Sequence, residues 1–360
     1  MSTAATQTEN TTTERRYSDE ALLEVTNLKT HFFLEQGIVR AVDGVDFTIN
    51  RGQTVGIVGE SGCGKSITAR SVLRIVAPPG RIVDGEMLFH RMGSDGSEEV
   101  IDLVQLDERG AEVRAIRGGE ISMVFQEPMT SLSPVHTIGN QIIEGILLHQ
   151  NISAQEAREQ AIEMLDRVNM PDPNRTIDRY PHELSGGMRQ RAVIAMALSC
   201  RPTLLIADEP TTALDVTTQA QILTLMRDLQ DEFGMAIIFI THDLGVIAQM
   251  VDYVIVMYLG EAVEMADVDT IFYNPKHPYT KSLLRSIPRL GAKSVQERTG
   301  PLAAIRGSVP DPYSRPTGCP FHTRCPEVIK GVCDQKDPPF LSVGNTSSGD
   351  EHKVRCVLYE

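Results

Sequence analysis

Apolar residues along this chain change period several times, and each change marks a predicted element. Residues 22–27 read as a short strand, and residues 39–49 alternate in part before a turn at Arg51 and Gly52. Residues 54–58 form a brief apolar, β-branched run ending at Gly59, and a helical pattern starts after Gly64. A strand over 86–90 leads into the polar stretch 91–99, which reads as a hairpin tip. Further strands are predicted at 121–125, 204–207, 236–240 and 254–258, with helices at 188–199 and 217–233. The stretch 127–184 is mostly helical, with breaks at Pro134 and around Pro171 and Pro173. Strands alternating with helices predict an α/β core on a largely parallel sheet. The helical stretch reads as an insert between two halves of that core.

After Glu261 the character changes, because eleven of the twenty prolines lie from Pro275 to Pro339. Proline fixes φ and removes a donor, so a loop-rich extension is expected there. Three regions follow: a disordered tail over 1–19, a main domain over 20–261 and an extension over 262–360. The first nineteen residues are rich in Thr, Ser and Glu and lack the basic start and apolar centre of a signal peptide. No apolar run approaches the ~20 residues that span a bilayer, so a cytoplasmic chain is expected and any membrane role must come through a partner. The net charge of −14 argues against nucleic acid as a partner.

Gly59-Glu60-Ser61-Gly62-Cys63-Gly64-Lys65-Ser66 matches a phosphate-binding loop in full, between a predicted strand and a predicted helix. The glycines Gly59, Gly62 and Gly64 let successive backbone N–H groups, with those of Ser61 and Ile67, turn toward phosphate, and the helix adds its positive end. Lys65 is placed to reach the β- and γ-phosphates, and Ser66 to ligate Mg²⁺. Cys63 reads as a small filler. The apolar strand over 204–207 closes on Asp208 and Glu209. Ligands gather at the carboxyl ends of parallel strands, which places Asp208 to hold Mg²⁺ through water and Glu209 to orient or deprotonate the attacking water.

Between these motifs stands Leu184-Ser185-Gly186-Gly187-Met188-Arg189-Gln190-Arg191. With it, the chain over residues 22–261 resembles the ABC ATPase family. The resemblance implies an ABC-type P-loop nucleotide-binding domain with a RecA-like core, an antiparallel β subdomain and a helical subdomain inserted at about 127–184. It implies that Gln126 touches Mg²⁺ and senses the membrane partner, that Ala213-Leu214-Asp215 is the D-loop, and that His242 contacts the γ-phosphate. Phe32 occupies the place of the aromatic residue that stacks on adenine, with Phe33 as the alternative. Two such domains would meet head to tail, so that Ser185, Gly186 and Gly187 face the ATP held by the other domain.

Asn274-Pro275-Lys276-His277-Pro278-Tyr279-Thr280, Ile305-Arg306-Gly307-Ser308-Val309-Pro310 and Gly318-Cys319-Pro320-Phe321-His322-Thr323-Arg324-Cys325-Pro326 resemble the extension of subunits that serve dipeptide and oligopeptide importers. Met188, where the sister subunit usually has Gln, resembles the dipeptide-permease D type. The resemblance implies a paralogous second ATPase subunit, with self-pairing as the alternative, two membrane-spanning permease subunits, an extracellular solute-binding protein, and a place on the cytoplasmic face of the membrane. Peptide cargo is implied in the same way, with nickel or sugar as alternatives. A soluble ABC ATPase of DNA repair or cluster assembly is a rival, disfavoured by the extension. A scaffold with degenerate ATP sites is disfavoured by the intact Lys65, Gln126, Ser185, Asp208, Glu209 and His242.

Cys319, Cys325, Cys333 and Cys356 lack the close Cys-x2-4-Cys pairs usual for structural zinc. Four thiolates also satisfy an iron–sulfur cubane, and the resemblance implies a [4Fe–4S] cluster; zinc, free thiols and disulfides stay open on spacing alone. Cys200 lies outside this group and reads as buried packing.

Overall fold

The computed structural model describes residues 17–18, 20–93, 96–127, 131–212, 214–286, 305–346 and 348–360. The tail expected over 1–19, apart from Tyr17 and Ser18, and Ala213 of the expected D-loop lie outside the described residues.

Strands β3 (Thr54–Val58), β6 (Ile121–Val124), β7 (Leu204–Asp208) and β8 (Ala236–Ile240) are buried along their whole length. Such strands need an apolar layer on both faces. Alternate residues supply it: Leu205, Ala207, Ile237 and Phe239 enter one core, while Leu204, Ile206, Ile238 and Ile240 enter the other. With β9 (Tyr253–Tyr258), β10 (Glu261–Asp267), β11 (Phe340–Asn345) and β12 (Glu351–Arg355) they form one sheet in the order β11-β12-β10-β9-β3-β8-β7-β6. From β6 to β9 every pairing is parallel, and from β9 to β11 every pairing is antiparallel. The extension therefore continues the central sheet with three strands.

A second, antiparallel sheet has the order β2-β1-β4-β5, built from β1 (Ala21–Leu34), β2 (Gly37–Asn50), β4 (Gly80–Met92) and β5 (Glu98–Asp102). β1 runs well past the predicted 22–27. Register shifts between Val25 and Leu28 and between Thr30 and His31 break the alternation that would have marked its full length.

Helix α1 (Lys65–Val72) follows β3, and α2 (Ala111–Gly119) precedes β6. The stretch 127–184 holds α3 (Ile138–His149) and α4 (Ala154–Arg167). Thr137 caps α3, and Ser153 with Glu156 forms a capping box on α4. These helices pack Ile142, Ile146, Ala161 and Leu165 into the same core as α5 (Gly186–Leu198). Later come α6 (Val216–Phe233), α7 (Leu244–Met250), α8 (Val268–Tyr273) and α9 (Pro278–Arg285). Among the described residues no helix is long and apolar enough to cross a membrane.

Candidate nucleotide site and cysteine cavity

The loop between β3 and α1 is shaped by contacts that leave no room for side chains. Gly59 has φ +153, and a Cβ there would lie 2.3 Å from the carbonyl oxygen of Met257. Gly64 has φ +105, and its Cβ would lie 2.2 Å from the carbonyl oxygen of Ala41. Only glycine accepts both the backbone angle and the approach. Lys65, the first residue of α1, is buried, and its Nζ donates to the carbonyls of Gly59 at 2.8 Å and Glu60 at 3.0 Å. Cys63 is buried against it, 3.8 Å from Nζ.

The adjacent strand end closes the site. Ser66 Oγ donates to Asp208 Oδ1 at 3.0 Å. Burial raises the Asp208 carboxyl above its ordinary range, and Ser66, Arg70 and Lys65 only partly offset this. A carboxylate so placed is stabilised by a cation, and Ser66 with Asp208 offers two neighbouring oxygens of the hard type that Mg²⁺ takes. Glu209 lies at φ +47, a left-handed conformation unusual outside glycine. Its N–H donates to the carbonyl of Ile240 at 2.8 Å. Its Oε2 accepts from Gln126 Nε2 at 3.0 Å and Thr212 Oγ1 at 2.9 Å, and its Oε1 faces His242 Nδ1 at 3.1 Å. Burial works against the Glu209 charge, but the hydrogen bonds of His242 and Thr212 and the nearby cations prevail, so its pKa is lowered. Lys65, Ser66, Gln126, Asp208, Glu209 and His242 thus gather at the carboxyl ends of β3, β6, β7 and β8.

Ser185, Gly186, Gly187 and Asp215 form a separate, largely exposed patch. Ser185 caps α5 by accepting from the Met188 N–H at 3.3 Å, and Asp215 caps α6 by accepting from Thr217 and Thr218, each at 3.0 Å. Gly187 lies against Thr218, where a Cβ would meet Cγ2 at 2.8 Å. The patch carries Val216, which is 84% exposed. Phe32 is half-buried over Gly80, whereas Phe33 carries the Arg81 guanidinium 4.3 Å above its ring.

Residues 42–212 match the ABC transporter family and residues 263–333 the oligopeptide/dipeptide transporter C-terminal region. The oligopeptide transport ATP-binding protein AppD of Bacillus subtilis is 50% identical over 340 residues, covering 94% of this chain and 97% of the relative. The chain belongs to the ATP-binding subunits of ABC transporters. The dipeptide transport ATP-binding protein DppD of Bacillus subtilis is 47% identical to this ABC subunit over 342 residues, covering 95% of this chain and 96% of the relative. Among solved structures, a dimeric ATP-binding cassette in a post-hydrolysis state bound to ADP and Pi matches with a TM-score of 0.59 and 28% identity, over 68% of this chain and 98% of that one.

In the extension of this ABC subunit, Cys319, Cys325, Cys333 and Cys356 line one small cavity together with His277, Phe321, His322 and Glu327. None of the four is in a disulfide. Burial pushes the Cys319 thiol up to about 12 and Cys325 up to about 11, and neighbouring thiols push in the same direction. Among the described residues no group of three or more His, Cys, Asp or Glu side chains is arranged to hold a single metal ion. The four thiols therefore share one cavity, but they do not form a metal-binding group there. Cys200 is only half-buried, beside Gln150 and Arg201, rather than the core residue expected.

Sequence reasoning missed three contacts to the site. Thr212 holds Glu209, Tyr279 Oη accepts from the Glu60 N–H at 2.9 Å, and Arg324 pairs with Glu60. Local pattern carried no signal for Tyr279 and Arg324, which lie more than 200 residues from Glu60, whereas Thr212 is only three residues from Glu209.

Proposed function

We propose that this chain is the ATP-hydrolysing motor of a di- or oligopeptide importer, working on the cytoplasmic face of the membrane beside a second ATPase subunit, two permease subunits and a solute-binding protein. The observation that carries the hydrolytic part is Glu209, held charged by Gln126, Thr212 and His242 next to the Ser66–Asp208 pair. The peptide part is supported by the extension and by the relatives named for peptide transport.

In this reading the loop N–H groups cradle the phosphates, and Lys65 exchanges the carbonyls of Gly59 and Glu60 for β- and γ-phosphate oxygens. Ser66 and Asp208 would hold Mg²⁺, which would supply positive charge against those phosphates. Glu209 accepts a proton from water as the water oxygen bonds to the γ-phosphorus, and the bond to the β–γ bridging oxygen breaks to leave ADP and phosphate. His242 and Gln126 keep the Glu209 carboxylate aimed. Phe32 stacks on adenine. Ser185, Gly186, Gly187 and Asp215, exposed on their own patch, meet the nucleotide of the facing subunit.

The test is uptake of radiolabelled di- and oligopeptides by cells carrying the parent chain or Lys65→Ala, in a strain whose other peptide importers are deleted. Loss of uptake is expected. Unchanged uptake alongside lost ATPase activity would reject peptide as cargo and turn the search to nickel or sugar.

A second reading concerns the cysteine cavity. Cys319, Cys325, Cys333 and Cys356 are the residues that would hold a [4Fe–4S] cluster. The supporting observation is that all four thiols line one cavity. Such a group would staple a proline-rich segment and supply a one-electron centre.

A further inference from the structure

Arg324 comes from the cysteine-rich turn, one residue before Cys325, yet its side chain is only 4% exposed. Every nitrogen of its guanidinium is used. Nη1 donates to Glu60 Oε2 at 2.6 Å and to Tyr258 Oη at 3.3 Å. Nη2 donates to Glu60 Oε1 at 3.0 Å and to the Gly307 carbonyl at 3.4 Å, and Nε donates to the Arg306 carbonyl at 3.0 Å. The pair is the two-pronged arginine–carboxylate fork, which fixes geometry as well as charge. Glu60 is the second residue of the phosphate loop, and the extension also holds its backbone through Tyr279 Oη. Tyr258, Tyr279 and Phe321 pack ring to ring behind the fork, with centroids 4.8 to 5.3 Å apart.

We infer that Arg324 is a positioning residue for the phosphate loop, acting through Glu60. The argument is one of charge. A loop built to receive a polyanion carries a carboxylate of its own, and that carboxylate would repel the ligand in proportion to the ligand's charge. Arg324 cancels it and fixes its direction, so the extension contributes to nucleotide affinity without touching nucleotide. The inference rests on the reading that this loop binds ATP.

The experiment measures affinity of the full-length chain for MgATP, MgADP and AMP by displacement of a fluorescent nucleotide, with thermal melts as a check on folding. Arg324→Gln is expected to weaken ATP binding about tenfold, ADP less and AMP little, as like-charge repulsion scales with ligand charge. Arg324→Lys should fall between, because an ammonium keeps the charge and loses the fork. Glu60→Gln alone should bind ATP as tightly as the parent or more so, and adding it to Arg324→Gln should bring affinity back to within about threefold. Equal loss for ATP, ADP and AMP, or a double variant as weak as Arg324→Gln, would make Arg324 a mere anchor and overturn the inference. If Arg324→Gln does not fold, weaker ATP binding by Glu60→Gln overturns it equally. A parent chain that binds no MgATP would sink the proposed function itself, which is a different result from a parent that binds and variants that match it.

Discussion

Glu209 Oε1 and His242 Nδ1 lie 3.1 Å apart, bridging the ends of the adjacent strands β7 and β8. Glu209 is 14% exposed and His242 is 66% exposed, so the carboxylate is the enclosed partner and the histidine the solvent-facing one. Glu209→Gln keeps the shape and the contacts to Gln126 and Thr212 but removes the base. Its turnover should fall by about 10²- to 10⁴-fold with nucleotide affinity unchanged. Parent-rate hydrolysis in single-turnover assays would reassign the base.

Gly64→Ala should abolish nucleotide binding while leaving most of the fold. The new Cβ would lie 2.2 Å from the Ala41 carbonyl at a φ of +105. Strain of about 1–3 kcal/mol concentrates in the loop rather than in either core. Calorimetric titration with MgATP, next to a thermal melt, separates the two effects.

His277 gives a pH dependence of stability. It is fully buried, its Nδ1 accepts from the Tyr279 N–H at 3.1 Å, and burial pushes its pKa down to about 4 despite Glu264. Between about pH 6.5 and 4 the unfolded chain binds a proton there that the folded chain does not, so stability falls as pH drops through that window. The contribution is on the order of 3 kcal/mol across the window. His277→Asn keeps a side-chain acceptor for the cap and should flatten the acid slope in denaturant titrations at pH 7.5, 6 and 4.5. Parallel slopes for parent and variant would show that His277 ionises freely.

Anaerobically purified protein should carry about four iron and four sulfide per chain with a broad absorbance near ~400 nm, and Cys319→Ser should lose both. Protein with neither iron nor sulfide would leave the cavity as a cluster of neutral thiols, in keeping with their raised pKa values.

The phosphate loop was legible because its chemistry is local: strand, glycines and Lys65 all fall within twelve residues. The run ending at Asp208 and Glu209 was legible for the same reason. What escaped depends on distant pairing. Nothing near Glu264 announces that it is fully buried, accepting from the N–H groups of Lys276 and His277 and facing His352 Nε2 at 2.8 Å. β10 and β12 lie on either side of the proline-rich stretch, and their partners are set by the sheet rather than by their own alternation. Nothing around Arg324 in the sequence announces its pairing with Glu60, which only the fold brings to it.

The order β11-β12-β10-β9-β3 has a further consequence for solubility. Without residues 340–355, β10 would offer unpaired backbone N–H and C=O groups at Glu264 and Met265, both now buried. A bare rim of that kind invites a second chain to pair with it. The last two strands therefore act as a selvedge, finishing the sheet along a rim that would otherwise stand bare.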